Sequence, residues 1–171
     1  NYLLSSSLEC YAKIANCISC DANGDCSACS SNYYLSAAEC FPCRLSCSAG
    51  SKLVSCTANA DATCSACDEG QYQSANVFTG SSCTEWSTCD AGQKRVDGSL
   101  TADATCLKCD AGQYQPANAF SGTSCTVWST CDAGQKRVVG SRTADAACPN
   151  CDAGQYQPAN TFSGTSCTVW S

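Results

Sequence analysis

Cysteine is the residue with most chemistry to offer in this chain: there are 20 in 171 residues, and no histidine accompanies them. Four thiolates in Cys-x2-Cys pairs, as at 17/20 and 26/29, have the ligand set of a tetrahedral zinc site. The same spacing suits a redox dithiol, but that chemistry needs a thioredoxin-like strand and helix that the surrounding residues do not supply. Disulfide formation is the better reading. It accounts for an even cysteine count in regular spacing, and it puts the chain in an oxidising, extracellular or cell-surface compartment, secreted from the cell. Asp21, Asn23 and Asp25 occupy the first three ligand positions of a calcium loop, yet Cys26 stands where glycine is needed and Asn32 where glutamate is needed. A turn is expected there, and no metal site. A Ser-His-Asp set, a phosphate-binding glycine loop and a carboxylate pair in an apolar setting are all missing, so neither enzyme activity nor a cofactor is expected.

Composition says what must position these cysteines. Val, Ile, Leu and Phe together number 21, about 12% of the chain, where a packed core becomes doubtful below roughly 20%. Cross-links have to replace the core, which excludes a single globular enzyme domain with a deep apolar interior. Nine basic residues against 15 acidic ones give a net charge of −6, which argues against a nucleic-acid partner. No apolar stretch is long enough to cross a membrane as a helix, so no membrane insertion of this segment is expected. The chain starts at Asn1 without Met and stops at Ser171 part-way through a repeat, as a piece of a longer secreted protein would.

The repeat has a period of 42 residues, carried by Cys67, Cys83, Cys89, Cys106, Cys109, Cys125, Cys131, Cys148, Cys151 and Cys167. Aligning residues 82–123 with 124–165 leaves seven differences, at 85/127, 97/139, 100/142, 105/147, 107/149, 108/150 and 119/161. Residues 109–125 are expected to form a hairpin-like module, with Gly112 and Gly122 at turns and Tyr114 and Phe120 covering its bridge. Residues 135–139 are expected to form a strand, turning at Gly140 and Ser141. No segment has a capped 3.6-residue apolar pattern, so almost no helix is expected. The resulting fold class is a tandem of small disulfide-rich modules, an elongated rod of short β-hairpins and turns. Its divisions are 1–42, a four-cysteine module at 43–66, repeats at 67–108 and 109–150, and a partial repeat at 151–171.

Cys-Thr-x-Trp-Ser-Thr-Cys at 83–89 and 125–131, followed by Cys-x-Ala-Gly, Asp-Ala-Thr-Cys-x-x-Cys and Gly-Gln-Tyr, resembles the cysteine-rich repeats of the tumour necrosis factor receptor family over residues 40–171. Residues 10–43 resemble the furin-like, growth-factor-receptor cysteine-rich repeats found in protist surface proteins. The 42-residue units carry four cysteines where the receptor repeat usually carries six. Translation along the repeat, together with the first-to-third, second-to-fourth topology that the resemblance implies, pairs Cys10 with Cys20, Cys17 with Cys26, Cys29 with Cys40, Cys43 with Cys56 and Cys47 with Cys64. It also pairs Cys67 with Cys83, Cys89 with Cys106, Cys109 with Cys125, Cys131 with Cys148 and Cys151 with Cys167.

Trp86, Trp128 and Trp170 recur with the period and are read as covers for adjacent disulfides rather than as a ligand stripe. Trp86 and Trp128 also fit the Trp-x-x-Cys form of a C-mannosylation site. No Asn-x-Ser/Thr sequon occurs, whereas the many Ser and Thr leave O-linked glycans open. Lys94-Arg95 and Lys136-Arg137 are read as solvated strand residues beside Asp90, Asp97 or Asp103. Copies this alike suggest an extracellular structural protein, the repeat stalk of a filament, surface coat or flagellar appendage. The alternative is a receptor or adhesin ectodomain that binds a protein or glycan ligand. Expected partners are other protein chains of an extracellular assembly, further copies of this one included. Val127 and Val139, which replace Glu85 and Asp97, are the candidate partner contacts.

Overall fold

A computed structural model describes residues 14–171. Its strands are β1 (Cys17–Cys20), β2 (Cys26–Cys29), β3 (Tyr33–Ser36), β4 (Glu39–Pro42), β5 (Ser51–Val54), β6 (Thr63–Ala66), β7 (Gln71–Tyr72), β8 (Thr84–Glu85), β9 (Gln93–Val96), β10 (Thr105–Lys108), β11 (Gln113–Tyr114), β12 (Thr126–Val127), β13 (Gln155–Tyr156) and β14 (Thr168–Val169). They form seven antiparallel two-stranded hairpins, and no helix occurs among the described residues. The fold class is therefore a tandem of small disulfide-linked modules.

Local chemistry explains the hairpins. Asp21 accepts hydrogen bonds on Oδ1 from the backbone N–H groups of Asn23 (2.8 Å) and Asp25 (3.0 Å), an Asx turn that joins β1 to β2. Those same bonds, Asp25 first, hold its carboxyl below the ordinary range. Ala37 and Ala38 both sit at positive φ, 47° and 63°, between the paired residues Ser36 and Glu39. That is the two-residue hairpin turn that twists with its strands.

Nine disulfides hold these hairpins: 17–26, 29–40, 43–56, 47–64, 67–83, 89–106, 109–125, 131–148 and 151–167. Cys20 is also disulfide-bonded, and Cys10, its expected partner, lies outside the described residues. Folding with this many bridges requires an oxidising compartment.

Contacts divide the described residues into two units, 14–85 with 99–102, and 86–98 with 103–171. The interior of each is made of cysteine. In the first unit Cys17, Cys26, Cys43, Cys47 and Cys67 are buried with Ala62, and in the second Cys89, Cys109 and Cys131 with Ala104. Among the described residues, apart from cysteine and these alanines, the buried side chains are three glutamines, Gln73, Gln115 and Gln157.

Each glutamine marks a joint between neighbouring modules. In the first unit Gly50 N–H donates to Gln73 O (2.8 Å), Gln73 N–H donates to Leu100 O (2.9 Å), and Cys47 and Phe78 exchange two backbone hydrogen bonds. The second unit repeats this with Gly92 to Gln115 (2.7 Å), Gln115 to Arg142 (2.9 Å) and the Cys89/Phe120 exchange, and again with Gly134 to Gln157 (2.7 Å) and Cys131/Phe162. The glutamine side chains are satisfied unequally: Gln115 Oε1 and Nε2 and Gln157 Oε1 are buried without a partner among the described residues, while the remaining groups bond nearby backbone. Gln73 binds both the N–H and the O of Ala75, and Gln157 Nε2 donates to Ala159 O at 2.9 Å.

Two expectations need correction. Gly122 is not at a turn. Its backbone O accepts from Arg95 N–H at 2.9 Å, and a Cβ on it would run into the Phe120 ring. Glycine is needed there for close approach, as at Gly80 beneath Phe78 and Gly164 beneath Phe162. Residues 135–139 do not form a continuous strand either. The ladder is reduced to isolated bridges, Gln135 with Asn150 and Val138 with Ala147. Lys136 N–H still donates to Pro149 O at 2.9 Å, but Pro149 has no N–H to return, whereas Leu107 at the same place in β10 does.

Candidate partner-binding face

The side chains that differ between copies stand on these hairpins. Glu85, Val127 and Val169 end β8, β12 and β14, facing Gln71, Gln113 and Gln155 in the register. Glu85 is exposed, and Val127 and Val169 are 67% and 66% exposed. Val139, in place of Asp97, is 56% exposed, beside Val138 at 51%. The candidate contacts Val127 and Val139 thus both belong to the second unit, and both face solvent in the isolated chain.

The three tryptophans, alike in sequence, differ in their ring contacts. Trp86 is half-buried, with the Arg95 guanidinium 5.4 Å from its ring centroid. Trp128, also half-buried, donates its indole N–H to Ser141 O at 3.1 Å. It lines an open cleft of about 350 Å3 with Asp110, Gln113 and Arg142, and Arg142 is held by a hydrogen bond from Nε to Cys109 O at 3.0 Å. Trp170 is exposed and stacks on Tyr156, with ring centroids 4.4 Å apart.

Basic residues pair in a repeating manner, partly with other acids than the neighbours first considered. Lys52, Lys94 and Lys136 reach Asp68, Asp110 and Asp152 at 2.6, 2.9 and 2.6 Å. Arg95 contacts Asp97 at 2.9 Å through both Nε and Nη2. Asp103 accepts from the hydroxyl (2.6 Å) and the backbone N–H (2.7 Å) of Ser87, and Asp145 accepts likewise from Ser129 at 2.5 and 2.7 Å. The serine hydroxyl first, then its N–H, holds each carboxyl below the ordinary range.

Sequence reasoning missed the glutamine joints. The signal was present, since Gly-Gln-Tyr-Gln stands unchanged in all three copies, but a polar residue was not looked for in the interior.

No protein-family model matches the chain, and no curated protein matches it. Among solved structures it is similar to a chain of the mouse RANKL–OPG complex, with 21% identity over 79% of this chain and 97% of the other, at a TM-score of 0.33. A chain of the human RANKL/OPG complex is similar at 21% identity over 80% of each, with a TM-score of 0.32.

Proposed function

We propose that this chain is part of an extracellular receptor or adhesin ectodomain, whose hairpin modules present aliphatic side chains to a protein partner. One observation carries the reading. Val127 and Val139 are more than half exposed at positions where the preceding copy has the acids Glu85 and Asp97, so adjacent copies offer different faces. A stalk has no use for that difference, because an identical contact repeated along a fibre is served by identical copies.

Near-identity of the remaining positions supports the second reading, a structural stalk that assembles with itself. Photo-activatable residues placed at 127 and 139 of the purified chain, applied to cell surfaces, separate the two. Cross-links to a different protein, lost on adding V169D and moving the probe to 85 or 97, support the ectodomain. Cross-links to further copies of this chain alone overturn it in favour of the stalk.

A further inference from the structure

Arg95 and Arg137 are repeat equivalents with unequal surroundings. Each donates its backbone N–H, to Gly122 O and Gly164 O respectively, at 2.9 Å, so this one bond is common to both copies although the ladder beside Arg137 is broken. Arg95 is satisfied within its module, paired with Asp97 and stacked over Trp86. In the next copy Asp97 has become Val139. Arg137 is left with no side-chain hydrogen bond or ion pair among the described residues, and its Nε is occluded without an acceptor. Val138 and Val139 stand exposed beside it in sequence.

Arginine is enriched at protein-binding hot spots, a guanidinium without a counter-charge can take a carboxylate from a partner, and the exposed aliphatic groups beside it are surface that a partner can bury. We infer that Arg137, with Val138 and Val139, is a docking point for an acidic residue flanked by aliphatic side chains on a partner polypeptide, whose carboxylate pairs with the guanidinium through its terminal Nη groups, Nε being occluded. The occupant follows from charge complementarity: the missing group is a carboxylate, and the flanking surface is apolar. This inference rests on the reading of the chain as a protein-binding ectodomain, and it names the chemistry that the partner must bring.

The test uses the full oxidised chain, 15N-labelled for its arginine side chains and 13C-labelled for its valine methyl groups. The probe is N-acetyl-Val-Glu-Val-amide, with N-acetyl-Val-Gln-Val-amide as the neutral control. At millimolar concentrations the Glu probe is expected to shift the Arg137 Nε–Hε signal and the Val138 and Val139 methyls saturably, while the Gln probe binds roughly tenfold more weakly and Arg95 is unmoved. V139D, which restores the internal carboxylate, should abolish the response. D97V should make Arg95 respond, a gain that misfolding cannot mimic. Equal response to both probes, a response that survives V139D, no saturable response, or an Arg95 that stays silent in D97V overturns the inference. Partner cross-linking at 127 and 139 that persists in any of those cases leaves the ectodomain reading standing, so the two fail separately.

Discussion

A glycine two residues after each repeat phenylalanine is the tightest steric constraint in the module. Gly122→Ala is expected to cost about 1–3 kcal/mol, because the added methyl must displace the Phe120 ring. Urea denaturation would show it, and adding Phe120→Leu should recover part of the loss by giving the methyl room. Asp103 and Asp145 make a second prediction at this scale. Their folded pKa values lie below the unfolded value of about 3.9, so the stability they contribute is complete above that value and disappears as pH falls through the folded pKa. Melting temperature should therefore stay level down to about pH 4 and drop below it, and the D103N/D145N double variant should drop less. At this scale the sequence was legible where a side chain acts on its own neighbourhood, as at the Asp21 turn. It was illegible where one residue makes room for another, because Gly122 reads as a turn residue until the Phe120 ring is seen against it.

Among the elements, the missing N–H of Pro149 is the physical reason we assign to the difference between β9/β10 and the broken ladder at residues 135–150. Pro149→Leu is expected to restore continuous pairing opposite Lys136 and to stabilise the module by about 0.5–1 kcal/mol. The check is hydrogen exchange, in which the new amide at 149 and its neighbours should gain protection. A lack of protection would mean that something other than the missing N–H breaks the ladder. Pairs such as β7/β8 are too short to persist alone and depend on the bridge and joint beside them. Turn residues made the hairpin of residues 109–125 readable in advance, whereas the strand expected at 135–139 is not formed. The joints were missed although Gly-Gln-Tyr-Gln recurs in every copy, because the Gly92 to Gln115 and Cys89 to Phe120 bonds use backbone groups, which every residue carries.

Across the whole chain the cross-links do what an apolar interior does elsewhere. Six of the bridges close sequence separations of 16 or 17 residues, and each such loop is worth about 3 kcal/mol in the chain-entropy picture. The buried cysteines are the packing as well as the clamp. Reduction is thus expected to abolish near-ultraviolet circular dichroism altogether rather than shift a midpoint, and alkylation without reductant should label none of the cysteines from 17 to 167. A reduced chain that keeps its tertiary signal would contradict this. The joints have a further consequence, which concerns heredity. The backbone bonds across a joint are recreated at the same offset in the next copy, from 50/73 to 92/115 to 134/157. A misaligned exchange between near-identical gene segments, which adds or removes one whole copy, therefore hands the ribosome a chain that still closes on itself. Inserting a second copy of residues 109–150 after Asn150 should yield a secreted product with two more bridges and no loss of thermal stability. Length in such a lineage would be free to vary by whole copies between siblings, while the fold of each copy stays the same.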